Sequence, residues 1–389
     1  LAKDNYTITT ASYGNGTVSA GETFQYDPAH TYTFTATPAV GNHIVSILRN
    51  NQPLTITSPE AAYTETLTNI IMDYNYVVRF ENNFYDITAT AGAHGEITPA
   101  GATSYIYNSN ATYAIAANIG YYISSVTVDG VTTNYTQANG LNNTTVNFNN
   151  IVANHTVAAT FAQYTYSITV TAGAHGTVTP GTGNHAYGTT PTYTITPAAG
   201  YGIVDVLVDG QSVGAVHSYT FTALTAAHTI SATFAQYQYT INAFAGNGGS
   251  ITPNGVTNMI YHGTQAYTIT PAAGYSIENV WVDNVAQGAI STYTFSNVEG
   301  NHVISASFTP NNYTITVNQP AHGTITPGTM DVVLNATPTF VITPATGYSV
   351  DAITLNSVNV TANATHVNDV YTYTLPAVTA NQTLTATMV

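Results

Sequence analysis

The side chains best suited to acid–base or metal chemistry in this sequence are its 12 histidines and 18 carboxylates. Three of the histidines, His155, His228 and His302, occupy one equivalent position in successive internal repeats. The same position holds Tyr74 in the first repeat and Gln382 in the fifth. A side chain required for catalysis should recur in every copy or stand in a constellation of partners, and these histidines do neither. We interpret them as turn or packing residues.

A second set of histidines falls in the first turn of each repeat. His94, His175 and His322 align with Asn15 and Gly248, and these residue types share a tolerance of left-handed backbone or of local hydrogen bonding. The sequence has no cysteine, no H-E-x-x-H helix and no calcium loop of the EF-hand type. We therefore predict no metal site and no cofactor.

Hydrolytic chemistry also has little support. We predict no serine–histidine–aspartate triad. Paired carboxylates of the glycosidase type stay an open alternative, because their separation in space cannot be read from the chain. Against that alternative, only 18 acids are shared among all the repeats and few of them recur. The sequence therefore predicts that the protein is not an enzyme.

The side chains with most binding potential are four tyrosines that follow a glycine at one repeated site. They are Tyr121, Tyr201, Tyr275 and Tyr348. A tyrosine ring can stack on a sugar or on a neighbouring subunit, so these residues are candidate ligand or subunit contacts. The alternative is that each ring packs over the sheet edge of its own repeat, and this is the interpretation we favour.

The elements that carry these residues belong to an internal repeat. The segment YSITVTAGAHGTVTP from Tyr166 returns as YTINAFAGNGGSITP from Tyr239, a period of 73 residues. Further copies start at Tyr6, Tyr85 and Tyr313. The predicted modules are residues 1–81, 82–162, 163–235, 236–309 and 310–389. The first copy is the most divergent and holds all three basic residues, which is typical of a capping repeat.

The joints between the predicted modules have one fixed length. Each of the first four modules closes on a phenylalanine, and four residues always separate it from the opening tyrosine of the next module, as between Phe234 and Tyr239. Four residues span at most ~14 Å when fully extended. A joint this short cannot act as a loose tether. We expect successive modules to hold a repeated geometry in a rod-like array.

Within each module the pattern is that of strands. Tyr166, Ile168 and Val170 alternate with Ser167 and Thr169, as in a strand with one buried face. No helical periodicity is sustained anywhere. The pattern predicts an all-β chain of small modules with about five or six short strands each.

Turn residues divide these strands. Asp129-Gly130, Asp209-Gly210 and Asp283-Asn284 predict hairpin tips. Pairs such as His175-Gly176 in the first turn predict a two-stranded hairpin that opens every module. The Thr-Pro pair that follows, as at Pro180, should end the second strand, because proline cannot donate to a ladder.

The assembled signature is AHGTVTP followed by TYTITPAAGY, a VDVLVDG hairpin, SYTFT and AAHTISATF. It resembles the divergent internalin-type B-repeat family of bacterial surface proteins over essentially the whole chain. The resemblance implies a β-grasp-like module or a small β-sandwich, used in series as a spacer, stalk or adhesive segment of an exported protein. The family supplies no catalytic residues to compare.

The composition excludes several classes of partner. Charged residues make up 5% of the chain, the net charge is −15, and Lys3, Arg49 and Arg79 are the only lysine and arginine residues. Binding to nucleic acid or to anionic lipid is therefore not expected. No apolar run reaches the ~18 to 20 residues of a membrane-spanning helix. Scarce basic residues also remove sites for trypsin-like proteases, which fits exposure outside the cell.

These observations predict an extracellular or cell-surface bacterial protein with a structural role. It would form part of a stalk, filament, sheath or surface layer. Self-association through strand edges is expected, because few lysines protect those edges. The alternative is a multivalent adhesin that binds glycan or host protein through the repeated tyrosine surfaces. A third alternative is an accessory region of an enzyme.

Overall fold

The computed structural model describes residues 4–389, and strands dominate them. The strands form where threonine alternates with larger apolar residues. In Thr192–Pro197, for example, Tyr193 and Ile195 are buried and the threonines between them face solvent. The prediction of an all-β chain is confirmed. Within the described residues, no helix has the length and apolar character needed to cross a bilayer.

Each module is built from two sheets, and the strands follow the same order in the first three. The first module has β1 Asn5–Tyr13, β2 Gly16–Val18, β3 Glu22–Gln25, β4 Thr31–Pro38, β5 Asn42–Arg49, β6 Gln52–Pro53, β7 Tyr63–Thr68 and β8 Tyr74–Asn82. The second has β9 Phe84–Ala91, β10 Gly95–Thr98, β11 Gly101–Ile106, β12 Ala111–Ala117, β13 Tyr121–Val128, β14 Val131–Asn134, β15 Asn143–Phe148 and β16 His155–Gln163. The third has β17 Thr165–Ala172, β18 Gly176–Thr179, β19 Gly183–Ala186, β20 Thr192–Pro197, β21 Tyr201–Val208, β22 Gln211–Gly214, β23 Ser218–Thr220 and β24 His228–Gln236.

The last two modules repeat this plan, and the fifth adds a 3₁₀ turn and one strand. The fourth module has β25 Gln238–Ala245, β26 Gly249–Thr252, β27 Gly255–Ile260, β28 Gly263–Pro271, β29 Tyr275–Val282, β30 Val285–Gly288, β31 Thr292–Val298 and β32 His302–Pro310. The fifth has β33 Asn312–Asn318, β34 Gly323–Thr326, β35 Met330–Val333, β36 Thr339–Pro344, β37 Val350–Leu355, β38 Val358–Asn359, the 3₁₀ turn Thr361–Asn363, β39 Thr365–Val367, β40 Val370–Thr374 and β41 Gln382–Met388.

The sheet topology settles the choice between the two predicted folds. In the third module a five-stranded sheet has the order β19-β17-β24-β21-β22, and a three-stranded sheet has the order β18-β20-β23. The central pair β17 and β24 is parallel, and the other pairs are antiparallel. No helix packs on either sheet in the described chain, so the module is a small two-sheet sandwich rather than a β-grasp fold.

The predicted strand number was wrong. The modules have eight or nine strands rather than five or six. Several of the extra strands are short, such as β22 with four residues. Strands of this length complete only one or two alternations, so their period does not stand out in the sequence.

The predicted opening hairpin was also wrong. In the third module β17 lies in the five-stranded sheet and β18 lies in the three-stranded sheet, so the turn between them joins two sheets. The turn passes over the closing phenylalanine. A Cβ atom on Gly176 would lie 2.2 Å from Cζ of Phe234. Glycine is required here because the ring occupies the space of a side chain.

The predicted hairpin tips are confirmed. β21 and β22 pair antiparallel on either side of Asp209 and Gly210. Both tip residues have positive φ, at 50° and 77°. Two successive residues with positive φ match the right-handed twist of the strands that they join. The same tip connects β13 to β14 and β29 to β30.

Each module has its own hydrophobic core between its two sheets. In the third module the buried cluster includes Ile168, Tyr193, Val206 and Ile230. The side chains of the described residues form one such cluster in each module. Surface features that differ between modules can therefore be compared on a common scaffold.

Candidate functional site

The joints between modules have the same backbone hydrogen bonds at all four places. Only Tyr237 lies between the end of β24 and the start of β25. Its N–H donates to the carbonyl of Gly200 at 2.9 Å, and its carbonyl accepts from the N–H of Tyr261 at 3.0 Å. The corresponding joint residues are Asn83, Tyr164 and Asn311. Each joint residue is thereby bonded to the module before it and to the module after it.

A side chain of the following module fills the same space at every joint. A Cβ atom on Gly200 would lie 2.2 Å from Cδ1 of Tyr261, and the φ of this glycine is +82°. The same contact pairs Gly41 with Tyr107, Gly120 with Tyr187 and Gly274 with Leu334. We call each glycine with the residue that covers it a joint contact. These contacts were not predicted from the sequence, although three of the four glycines directly precede a predicted tyrosine.

Three of the four predicted tyrosines, Tyr121, Tyr201 and Tyr275, directly follow the glycine of a joint contact, and all four pack on the first turn of their own module. Tyr201 stacks on His175 with ring centroids 4.2 Å apart and planes 11° apart. Tyr275 instead lies over Gly248, where a Cβ atom would be 2.4 Å from its Cδ1. The remaining stacks are His94 with Tyr121 and His322 with Tyr348. The structure therefore brings the tyrosine set and the second histidine set together.

The first histidine set binds the hairpin tips. Nδ1 of His228 lies 2.6 Å from Oδ2 of Asp209, and the N–H of Thr229 donates to Oδ1 of Asp209 at 2.8 Å. Burial acts to raise the pKa of this carboxyl, but the bonds from His228 and Thr229 outweigh it and lower the pKa below its ordinary value. The equivalent pairs are Asp129 with His155 and Asp283 with His302.

The two outer modules have the same tip clamp without histidine. Asn50 accepts the N–H of Asn75 at 2.7 Å, and Asn356 accepts the N–H of Thr383 at 2.8 Å. The shared element is a side-chain oxygen that accepts one backbone N–H of the neighbouring strand. The histidine is therefore an addition to a structural clamp, which agrees with a turn or packing role.

One G-x-S-x-G sequence, the pattern of a nucleophile elbow, was not noticed in the sequence. Residues 210–214 read GQSVG. An elbow requires a sharp turn from a strand into a helix. Here the segment forms the tip and the second strand of a hairpin, and Oγ of Ser212 donates to Oδ1 of Asp205 at 2.6 Å. Ser212 therefore lies on a hairpin strand and not at the strand-to-helix turn that an elbow requires.

A cleft of about 720 Å³ lies where the first module meets the second. Its lining includes His43, Glu60, Asn83 and Tyr85. Nδ1 of His43 in the first module lies 2.9 Å from Oδ1 of Asn83, the joint residue. These two polar side chains of the cleft therefore bind each other. Among residues 4–389 no three side chains of the metal-binding types come together.

The repeated modules match a known family. The family model described as the divergent InlB B-repeat domain matches residues 6–78, 166–238, 239–312 and 313–388. The chain belongs to this family. The divergent InlB B-repeat family is one of bacterial surface repeats, so the protein is a surface repeat protein. Family and fold indicate a structural or surface protein rather than a known class of enzyme.

The family match corrects one detail of the predicted resemblance. The divergent first module is matched, whereas residues 79–165, which contain the second module, are not. The second module nevertheless has the strand order of its neighbours. Sheet order is thus retained in this divergent InlB B-repeat protein where the family's sequence pattern is weak.

Solved structures show only distant likeness. The chain is 9% identical to the Bacillus anthracis TIE protein, covering 99% of this chain and 74% of that one with a TM-score of 0.30. The major pilin T-13 of Streptococcus pyogenes is 11% identical over 80% of this chain and 98% of its own, with a TM-score of 0.11. SGBP-B of Bacteroides ovatus, solved with a mixed-linkage heptasaccharide, is 10% identical over 98% and 92%, with a TM-score of 0.10. No curated protein matches the chain.

Proposed function

We propose that this protein is an extracellular structural array that serves as a stalk, filament, sheath or surface-layer component. The observation that carries the proposal is the repetition of one joint at all four module boundaries. A protein that only displayed independent binding domains would not need the same clamp at every boundary. A protein that must hold its modules at a set angle does need it.

The joint resists bending at the residue about which bending would occur. Domains joined by a short linker move relative to one another unless contacts oppose the motion. Here Tyr237 is bonded on both sides, and the ring of Tyr261 fills the space over Gly200. Each such hydrogen bond contributes about 1 kcal/mol, and all the contacts of one joint must break together for it to bend.

The test compares two glycines that share a backbone conformation but not a neighbour. Gly200 and Gly210 have φ of +82° and +77°, yet only Gly200 has atoms within 4 Å of an added Cβ. Gly200→Ala therefore adds a clash with Tyr261 to the strain that both variants share. Electron microscopy of the full chain should show a wider range of angles at the third joint in Gly200→Ala only. A wide range of angles at every joint of the unaltered protein would refute the proposal.

The polymeric form of this role requires self-association through sheet edges. Support comes from edge strands with exposed apolar residues, such as Ile106 at the end of β11 and Ile260 at the end of β27. Neither strand has a lysine, the residue that most often prevents edge pairing. Light scattering should reveal oligomers that Ile106→Lys and Ile260→Lys dissociate. Monomers at all concentrations would restrict the role to that of a single-chain spacer.

The second candidate function is a multivalent adhesin that binds glycan or host protein through Tyr121, Tyr201, Tyr275 and Tyr348. Support comes from the recurrence of the stacked aromatic pair in three modules, which repeats one flat surface along the chain. Binding on a glycan array should then weaken with each successive tyrosine-to-alanine substitution. Unchanged binding after all four substitutions would show that these rings do not contact the ligand and only pack within their modules.

A further inference from the structure

The fourth module has a row of aromatic side chains on the outer face of its five-stranded sheet. Phe244 of β25 pairs with Ser305 of β32, and Ser305 pairs with Trp281 of β29. Residues paired in this way share one face of a sheet. The flanking residues Ala243 and Val280 are buried in the core, so the row faces away from it. We call these three residues the aromatic row.

The equivalent row in the other four modules has no aromatic residue. The five-stranded sheets place the corresponding residues in the same register, as the strand pairing shows. The rows are Ala11, Val77 and Leu48; Thr90, Ala158 and Thr127; Thr171, Ser231 and Leu207; and Asn318, Thr385 and Thr354. The fold therefore does not require aromatic side chains at this place. Phe244 is 51% exposed, and Trp281 is the only tryptophan of the chain.

Polar groups beside the row are neutral or acidic. Oγ of Ser307 donates to Oε2 of Glu278 at 2.8 Å on the neighbouring strand. Ser305 lies between the two rings. The sequence has no lysine or arginine after Arg79, so no such cation is near. The surface therefore offers aromatic faces, hydroxyl groups and one carboxylate.

The size and charge of this surface decide its occupant. Two strand spacings separate Phe244 from Trp281, which is about 10 Å. A stable protein partner requires roughly 800 Å² on each side, far more than this row offers. The lack of cations disfavours anionic ligands, including sulfated glycans and lipid headgroups. An uncharged sugar chain matches what remains, because its C–H faces pack on aromatic rings and its hydroxyl groups bond to Ser305 and Glu278.

We propose that the aromatic row of the fourth module binds an uncharged oligosaccharide. This function is separate from the structural role and from the tyrosines beside the joints. It gives an otherwise repetitive array one position of attachment. A single site in one module also differs from the multivalent adhesin, which uses every module.

The test uses Trp281 as its own reporter. The full chain is titrated with neutral polysaccharides, namely a soluble β-glucan, a mannan and a xylan, while tryptophan fluorescence is recorded. At least one should shift the emission with saturation. The double variant Phe244→Thr, Trp281→Leu recreates the row of the third module, so the sheet should tolerate it. In affinity electrophoresis it should lose about tenfold or more in affinity, because both rings that stack on the sugar are removed.

A reciprocal variant tests sufficiency. Thr171→Phe with Leu207→Trp builds the aromatic row in the third module, and calorimetry should then count two sites instead of one. Three results would overturn the proposal: no response to any neutral polysaccharide, binding that survives the double variant, or self-association of the chain that the double variant abolishes. The second result would direct attention to the tyrosines beside the joints, and the third would make the row a contact between copies.

Discussion

The third and fourth modules are the two regions of the molecule with the most similar sequences, yet they differ in the core, in the first turn and on the outer sheet face. Their sheets have the same strand order and the same joints. Three of their differences bear on stability or binding: a hydroxyl partner in the core, His175 against Gly248 in the first turn, and the aromatic row on the outer sheet face. Backbone architecture and side-chain chemistry therefore vary independently in this protein.

The core difference concerns a buried tyrosine. The hydroxyl of Tyr193 lies 3.0 Å from Nε2 of His185. In the fourth module Met259 stands in place of His185, and the buried hydroxyl of Tyr267 has no partner among the described residues. The fifth module has Phe340 at this position, without a hydroxyl. The fourth module thus retains a buried hydroxyl that no described protein group bonds.

Removing the hydroxyl should have opposite effects in the two modules, and this is the largest effect that we predict from the comparison. Tyr193→Phe should destabilise the third module by about 1 kcal/mol, because a hydrogen bond is lost and His185 loses its partner. Tyr267→Phe should be neutral or should stabilise the fourth module by up to about 1 kcal/mol, because an unpaired hydroxyl leaves the core.

Each module can be followed by itself. Trp281 is the only tryptophan, so denaturant unfolding recorded by its fluorescence reports on the fourth module. Leu207→Trp in a Trp281→Leu background moves the reporter to the equivalent position of the third module. Equal losses for Tyr193→Phe and Tyr267→Phe would show that the Tyr267 hydroxyl has a partner of its own.

The hairpin tips should give the two modules the same pH dependence. Hydrogen bonds from His302 and the Val303 backbone lower the pKa of Asp283 below the ordinary value of 3.8, against the opposing effect of burial. A lowered pKa means that the carboxylate stabilises the folded module above the unfolded pKa, and that this stability is lost as the pH falls through the folded pKa. Stability should therefore decline below about pH 4.

The fifth module shows which substitution tests this prediction, because it has Asn356 at the position of Asp283. Its side chain already makes the same clamp in the fifth module. Asp283→Asn should keep the bond from Val303 and should flatten the decline in stability of the fourth module below about pH 4, measured by the unfolding midpoint from Trp281 fluorescence. Because the Asp283 side chain is 44% exposed, the change should be small. An equally steep decline in Asp283→Asn would assign the pH dependence to other carboxylates.

The parts of this fold that were predicted correctly depend on local sequence. Asp209-Gly210 predicts a hairpin tip because two adjacent residues determine the turn, and the alternation around Ile168 predicts a strand within a few residues. The turn at Gly176 was wrongly predicted to be a hairpin. Its glycine is required by the ring of Phe234, which lies 58 residues later in the chain. Long-range packing of this kind has no local pattern.

The candidate sites show the same limit. His175 and Tyr201 were both identified from the sequence, but their contact depends on how two strands from different sheets meet. The joints were harder still, because their bonds join backbone groups, which any residue supplies; Tyr237 and Asn311 make the same bonds. The aromatic row required the strand register, which places Phe244 and Trp281 on either side of one serine.

The substitution with the smallest predicted effect is His175→Gly in the first turn, where two contributions oppose each other. His175 has a φ of 66°, a left-handed conformation that costs a residue with a side chain about 1 kcal/mol relative to glycine. Its stack on Tyr201 stabilises the folded module by about 0.5 to 1.5 kcal/mol. His175→Gly removes both and should change the stability of the third module by less than about 0.5 kcal/mol, whereas His175→Ala loses the stack and keeps the strain, which should cost about 1 kcal/mol. If His175→Gly is as costly as His175→Ala, the backbone strain is negligible, and another cause must explain why the fourth module tolerates Gly248.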